Sequence, residues 1–387
     1  MSRVWINVTS VSMRKVIRRV FCHLMRWSGG IRLWRFLFRN RVMILMIHGV
    51  MDEESGAEWT PLVQRLPRQK LDERIGALSR HYEFISLQEA ANMIAGRIPI
   101  RRNCLVLTFD DGYRNNLTHA LPVLRRYDAP ATFFVATSHV DGGEPFWFDR
   151  IDYALQHSNG DPIEARVFGR TVSFSTTDRS SLRSSYKRLR DWAKGIPYSD
   201  KEFLKEMEGL ATRLETAAGS SLADVFECDD WSEILTWSEI RTLGEFKVTI
   251  GSHTVDHIRL GKVDIGDIRE QLSESKRTIE RQTNRPCDQL SYPNGDYNDE
   301  TMELARAIGY TCAVTTEDGA NAVGDDVMAL RRIAIPDDCG VTELLFRVCG
   351  LSDAIFRLKR LLWPVRRNRA RRACTSPDGL IPGLERD

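Results

Sequence analysis

Apolar residues follow two alternating rhythms along this chain. Short β-prone runs, Val42–Ile47, Cys104–Thr108, Ala131–Ala136, Lys247–Ile250, Gln289–Tyr292, Thr311–Thr315 and Ala329–Ile335, predict strands. Between them, Asn116–Tyr127, Ile265–Gln282 and Asp299–Gly309 repeat apolar positions at helical spacing. Strands alternating with helices predict an α/β fold, a largely parallel sheet with covering helices, open or closed into a barrel. Polar residues begin where several strands end, with His48 after the first and Asp110-Asp111 after the second. In parallel α/β folds chemistry collects at those carboxyl ends.

Residues 142–230 break the alternation. This segment is rich in Ser, Arg and Glu, and its periodic stretches, Ser181–Lys194 and Lys201–Thr216, read as helices. It reads as a helical insertion between two units of a domain spanning residues 42–340. The loop Glu144–Ser158 inside it carries Phe146, Trp147 and Phe148, a candidate platform for stacking on a sugar ring.

The ends differ in character from the body. Residues 1–41 hold ten Lys/Arg and no Asp/Glu, and Arg357–Arg372 hold eight more with no acid. Subtracting those eighteen from the 55 basic residues leaves 37 against 53 acidic ones, so an acidic body (−16) lies between basic ends. Met13, Val16, Ile17, Val20, Phe21, Leu24 and Met25 share one helical face, with Arg14, Lys15, Arg18, Arg19 and Arg26 on the other positions. A basic amphipathic helix of this kind suits a lipid headgroup boundary, and peripheral contact with a membrane surface is expected. Arginines interrupt every apolar run well short of the ~20 residues a membrane span needs, and no uninterrupted apolar stretch follows the charges as a secretory signal would require. Residues 341–372 are expected to form basic amphipathic helices, and 373–387 to be disordered. Eight cysteines lie scattered without a CxxC pair, which favours a reducing compartment. A cytoplasmic protein, held at the inner face of the cell membrane, is the expectation. No nucleic-acid-binding module is recognisable.

Three segments carry candidate chemistry. In Leu105–Gly112 an apolar strand delivers two adjacent carboxylates and then a glycine that permits a sharp turn. Two like charges side by side are costly unless a cation or a proton relieves them, and a metal would bind one Asp and leave the other as a base. After a second strand comes Gly251-Ser252-His253-Thr254-Val255-Asp256-His257, whose histidines four apart can present imidazoles to one ion. Together they provide two His, one Asp and open positions for water, the ligand set of a hydrolytic zinc-type site. In the third, Leu290–Asn298, a strand runs into a Pro/Gly turn able to aim backbone N–H groups at a developing oxyanion.

With these residues in view, the chain resembles the polysaccharide deacetylases of carbohydrate esterase family four, the nodulation-factor deacetylase homology group. The resemblance covers roughly residues 42–140 and 246–336 and rests on TFDDG at 108–112, SHTVDH at 252–257, SYPNGDYN at 291–298 and LRRIAIP at 330–336. LMIHGV at 45–50 is similar to the opening of the exopolysaccharide-associated branch. The resemblance implies a distorted (β/α) barrel, with Asp110 as general base and Asp111, His253 and His257 as metal ligands. It implies further that the backbone near Tyr292 helps to hold the oxyanion. Many members brace the base with an arginine in the third motif. Here Gln289, Leu290 and Ser291 occupy that neighbourhood, and Arg331 or Arg332 is expected to substitute from the last strand. The family's late Leu-x-His general acid is replaced by Leu330-Arg331-Arg332, which leaves His48 as the candidate acid.

The expected activity is metal-dependent removal of N-acetyl groups from amino sugars, such as N-acetylglucosamine, of a polysaccharide, oligosaccharide or glycolipid. One divalent ion is expected, zinc first, with cobalt, nickel or manganese able to occupy the same set. The alternatives are hydrolysis of an O-acetyl ester or another amide on the same fold, or a catalytically decayed carbohydrate-binding protein.

Overall fold

The structure is a computed structural model and describes residues 16–52, 59–63, 65–196, 199–226, 229–336, 338–351 and 353–354. In chain order its strands are β1 (Val42–Ile47), β2 (Val50–Met51), β3 (Leu66–Pro67), β4 (Glu83–Phe84), β5 (Cys104–Phe109) and β6 (Ala131–Val135), followed by β7 (Ile163–Val167), β8 (Arg170–Phe174), β9 (Val248–Ser252), β10 (Gln289–Ser291), β11 (Cys312–Val314) and β12 (Ile333–Ala334). All seven expected strands are present within a few residues of their expected ends. The last is shortened from seven residues to the pair Ile333–Ala334.

The main sheet is parallel, in the order β11-β10-β9-β6-β5-β1-β12, with β4 beside the start of β5. Its two edges meet where Leu330, just ahead of β12, bridges Val314 of β11 in parallel. That contact closes the sheet into a distorted barrel. Side chains alternate across a strand, so a closed sheet needs apolar residues on both faces. Val42, Ile44, Val106, Phe134, Cys312 and Val314 gather on one side with the Leu87–Ile94 helix. Leu45, Leu107, Phe133 and Ile250 pack on the other with Ile75 and Leu78 of the Arg68–Ser79 helix and Leu272 of the Ile265–Thr283 helix.

Local sequence sets the helix starts. Asp264 accepts from the Asp267 N–H ahead of the Ile265–Thr283 helix, and Asn298 accepts from the Thr301 N–H ahead of Asp299–Ile308. These side chains satisfy backbone donors that a helix start would otherwise leave unpaired.

Residues 142–230 form an insertion with a core of their own: Leu155, Val172, Phe174, Tyr186, Leu189 and Met207 pack together. Two expectations change here. The segment is not wholly helical, because β7 and β8 form an antiparallel hairpin turning at Phe168-Gly169, both with positive φ. The region read as the loop Glu144–Ser158 is mostly the Trp147–His157 helix. In the hairpin, exposed polar residues masked the alternation; in the helix, the buried carboxylates Asp149 and Asp152 interrupt the apolar face.

At the amino end, residues 16–27 and Gly30–Leu37 are helices. Cys22 and Ile31 pack into the body, whereas Val16, Ile17, Val20, Phe21, Leu24, Trp27, Leu33, Phe36 and Leu37 are exposed. Met13 lies outside the described residues, as do 355–387, which hold most of the expected basic carboxyl-terminal helices and the whole tail. Among the described residues no helix is long and apolar enough to cross a membrane.

Candidate active site

The strand register builds the site. Ile47 lies opposite Phe109, Val135 opposite Ser252, and Ser252 opposite Leu290. The residues that follow, His48, Asp110, His253 and Ser291, therefore emerge together at the carboxyl end of the barrel. They open onto a cavity of about 240 Å³ that His48, Asp110, Asp111, His253 and His257 all line. Hydrogen bonds from the Asp110 N–H to the Ile47 carbonyl and from the His253 N–H to the Val135 carbonyl tie the loops to the strand ends.

Asp111, His253 and His257 converge, each offering one ligand atom within 4.8 Å of the others. Nε2 of His253 and of His257 lie 3.5 and 3.4 Å from Asp111 Oδ1. Donors ~2.0–2.1 Å from a tetrahedral ion stand about 3.3 Å apart, so the spacing fits an ion of zinc's size. His253 Nδ1 is 2.8 Å from the Ser291 carbonyl, which fixes that nitrogen as the donor and leaves Nε2 free for an ion. Burial alone would raise the Asp111 carboxyl, but hydrogen bonding to His253 and then His257 holds it well below the usual range. Burial would lower His253, and Asp111 more than offsets it, pushing the imidazole up.

Backbone strain is concentrated at this site. Asp111, Thr254, His257 and Asn294 all have φ between 54° and 76°, a conformation costing about 1–2 kcal/mol for a residue with a β-carbon. Gly112 has φ 77°, and a Cβ there would stand 3.1 Å from Val135 Cγ1, so only glycine lets the turn after the carboxylates close against β6.

Asp110 is held differently from its neighbour. Arg332 donates to both its carboxylate oxygens, at 2.7 Å each. The same guanidinium reaches the Thr315 carbonyl at 2.7 Å, Thr108 Oγ1 at 3.2 Å and Ser291 Oγ at 3.2 Å. All five N–H donors are thus engaged on a side chain only 1% exposed. Burial would raise Asp110, but the Arg332 charge, then His253, keeps its carboxyl below the ordinary value. The brace expected from Arg331 or Arg332 therefore comes from Arg332. Arg331 points away, to Asp325 at 2.6 Å and Asp353 at 3.6 Å, because consecutive residues in extended chain face opposite sides.

The polar groups of Tyr292 itself are engaged elsewhere. Its hydroxyl donates to the Met328 carbonyl at 3.0 Å, its ring stacks on Tyr297, and its own N–H is spent on the Val314 carbonyl at 3.2 Å. Pro293 has no N–H. Asn294, whose N–H has no acceptor among the described residues, lines the cavity, and it becomes the candidate oxyanion donor of this turn. The signal was the Asn-Gly pair. Both residues have positive φ, and a Cβ on Gly295 would fall 2.1 Å from Thr316 Oγ1.

His48 lines the cavity, open to its solvent, and its ring has no hydrogen-bond partner among the described residues. The surrounding protein strips hydration and depresses the imidazole, while Asp111 and Asp110 pull it up. Contact with cavity solvent tempers that depression. Of the aromatic triplet, Phe146 and Phe148 stack at 4.9 Å and lie edge-on to His257, at 5.4 and 6.0 Å. Phe146 is core, whereas Trp147 and Phe148 line the cavity. Sequence reasoning missed Ser291, which holds both His253 and Arg332, and also Arg190, Lys194, Asp200 and Arg259 of the cavity wall. Arg259 and Asp200 form a buried ion pair, and Arg259 also donates to the Ala193 and Lys194 carbonyls at 3.1 and 3.2 Å, latching the histidine loop to the insertion.

Among known proteins, the family profile described as polysaccharide deacetylase matches residues 98–165 and 198–313. YxkH of Bacillus subtilis (strain 168), assigned as a polysaccharide deacetylase, is 21% identical over 296 residues, which are 76% of this chain and 71% of that protein. The fold is similar to the Streptococcus pyogenes deacetylase PplD in complex with acetate, with TM-score 0.52 and 19% identity over 80% of this chain and 98% of that one. It is also similar to IcaB from Ammonifex degensii, with TM-score 0.50 and 17% identity over 80% and 97% of the two chains.

Proposed function

We propose that the chain is a polysaccharide deacetylase, a hydrolase of non-peptide carbon–nitrogen bonds, and that it acts as a metal-dependent de-N-acetylase of amino sugars in a glycan or glycolipid. The observation that carries this reading is the division of labour between adjacent carboxylates: Asp111 faces two imidazoles while Asp110 is braced as an anion by Arg332.

Asp111, His253 and His257 would hold one divalent ion, zinc by donor type, with cobalt, nickel or manganese able to take the same set. Such an ion supplies Lewis-acid polarisation of the acetyl carbonyl and of water. Asp110 takes a proton from the attacking water, and Arg332 keeps it ionised and oriented for that transfer. The Asn294 N–H faces the oxygen that gains charge as the acetyl carbon becomes tetrahedral, a kind of donor worth roughly 3–4 kcal/mol in other hydrolases. His48 delivers a proton to the nitrogen as the C–N bond breaks, releasing acetate and a free amine. Arg331 and the Tyr292 side chain have no part in these steps. The decayed-site reading drew on the missing third-motif arginine and the missing late histidine; the Arg332–Asp110 ion pair weighs against the first of these, and His48 is the proposed replacement for the second.

The exposed apolar residues of 16–37, interspersed with Arg19, Arg32 and Arg35, support peripheral docking on an anionic membrane surface. We place the enzyme at the cytoplasmic face, a reading helped by six buried free thiols.

The test is acetate release from N-acetylglucosamine oligomers and lipid-linked N-acetyl sugars by zinc-supplemented protein. Release that stops on chelation and returns with added ion is the expected result. Release unaffected by chelation would remove the metal from the mechanism, and release only from O-acetyl esters would reassign the bond.

A further inference from the structure

Beside the catalytic cavity, and sharing Met46, His48, Asp111, Phe148, Arg190 and Lys194 with it, lies an outer cleft of about 400 Å³. Its far wall is the insertion helix Arg179–Ala193. Arg183, Lys187, Arg190 and Lys194 all line this cleft. Their spacing of four, three and four residues puts them on one helical face, and eleven residues at 1.5 Å each extend the stripe about 16 Å. Arg190 and Lys194 reach the catalytic cavity, and Arg183 and Lys187 continue outward.

Such a stripe would be unremarkable as a solvated face with carboxylate partners. Lys187 has one in Asp191. Arg183, Arg190 and Lys194 form no ion pair among the described residues. Like charges three and four apart oppose helix formation, so the stripe does not serve the helix. Burial, then Arg190, pushes the Lys194 amine down, with Lys187 adding to it. Arg190 is half-buried, its guanidinium 4.9 Å over the Phe148 ring, and that ring stands 6.0 Å from the His257 imidazole. The cations therefore begin one aromatic ring away from the proposed metal ligands. They also lie on a body with sixteen more acidic than basic residues outside its basic ends, where four cations facing one cleft, against Asp111 and Asp191 on its lining, are an exception. The family profile matches residues 98–165 and 198–313 and leaves 166–197, which contain this helix, unmatched.

We propose that this cleft binds a phosphate or diphosphate group carried by the amino-sugar substrate, with Arg190 and Lys194 on the phosphate nearer the sugar and Arg183 and Lys187 on the group beyond. The inference rests on the de-N-acetylase reading for the sugar and adds the chemistry of what is attached to it. Guanidinium forks and a flexible ammonium together suit a multiply charged oxyanion; a single carboxylate would leave most of them unpaired. The same phosphate chemistry is found in a sugar 1-phosphate, a nucleotide diphosphate sugar and a polyprenyl diphosphate sugar.

Two measurements on the full, zinc-loaded chain test this. The first is binding of inorganic pyrophosphate by calorimetry to the native protein, to the double variant Arg183→Gln/Lys194→Gln and to the charge control Lys205→Gln, which removes a cation from an exposed position of the neighbouring helix. The double variant should bind at least tenfold more weakly, and the control should match the native chain. Equal binding by the double variant, or none by the native protein, overturns the proposal, and binding at the metal alone would show as that equality. The second compares kcat/KM for acetate release from N-acetylglucosamine, its 1-phosphate, the uridine diphosphate sugar and a polyprenyl diphosphate sugar in detergent. A preference of tenfold or more for a phosphorylated form, reduced by the double variant mainly through KM, supports the proposal and identifies the source. A preference for neutral or uronate-bearing oligomers contradicts it. No acetate from any substrate, with pyrophosphate binding intact, would count against the deacetylase reading and leave the anion site standing.

Discussion

Asp110 and Asp111 are adjacent and equally buried, yet their surroundings assign them opposite work. Asp111 looks at two imidazole nitrogens, and Asp110 at a guanidinium whose every donor is used. Asp110→Asn keeps shape and loses the proton acceptor. Acetate release should fall about 10²–10⁴-fold, the range of general-base contributions, with metal content after dialysis unchanged; near-native turnover would remove Asp110 as base. The two arginines make a sharper comparison. Arg332→Gln leaves a buried carboxylate without its partner, which should cost about 3–5 kcal/mol in urea unfolding as well as most of the activity. Arg331→Gln, removed from a more accessible cluster with Asp325 and Asp353, should leave turnover largely intact. If Arg331→Gln were the more damaging to turnover, the brace would be misassigned. The sequence offered both arginines and could not choose, because the choice depends on which face of an extended segment meets β5.

At the scale of elements, the positions of the main-sheet strands were legible because an apolar run depends on neighbours in sequence. The β7–β8 hairpin was not, because exposed polar residues alternate along it, nor was the Trp147–His157 helix, whose buried face carries the polar Asp149 and Asp152. That helix is tied to the body through Asp152, whose carboxylate accepts from the Leu62 N–H at 2.8 Å and from Gln156 at 2.7 Å. Burial nonetheless pushes its carboxyl up to about 7. An acid raised in the folded state binds a proton there that the unfolded chain has already lost. Its contribution is therefore most favourable below pH ~4 and is lost progressively as pH rises toward about 7. The native protein should lose stability over that window, by an amount of order a few kcal/mol, and Asp152→Asn should flatten the slope. Urea midpoints measured across the window check it, and parallel slopes for the two proteins would exclude Asp152 as the source.

For the whole molecule, the notable asymmetry is the apolar face of residues 16–37, turned outward although Cys22 and Ile31 dock the same segment onto the body. Trp27 is 89% exposed. An outward apolar face rimmed by arginine suits a lipid surface. The full chain should float with vesicles containing anionic lipid and should float less with neutral ones or at high salt. A chain lacking residues 1–41 should remain with the soluble fraction, and equal flotation of the two would exclude this segment as the anchor. A surface-docked enzyme with a cationic cleft beside its catalytic cavity could take a phosphorylated substrate directly from that surface.

The sequence by itself determined the α/β class, the places of the main strands and the candidate set Asp110, Asp111, His253 and His257. Asp110 and His253 follow directly on strands, with Asp111 one and His257 four residues further, and the strands' apolar pattern shows where that is. Only the tertiary structure decided that Arg332 and not Arg331 reaches Asp110, that the available N–H of the third turn is on Asn294 and not on Tyr292, and that a stripe of cations on the insertion faces the site. Those three outcomes depend on which side of an element meets a partner far along the chain. Periodicity specifies that a face exists, and packing chooses what it meets.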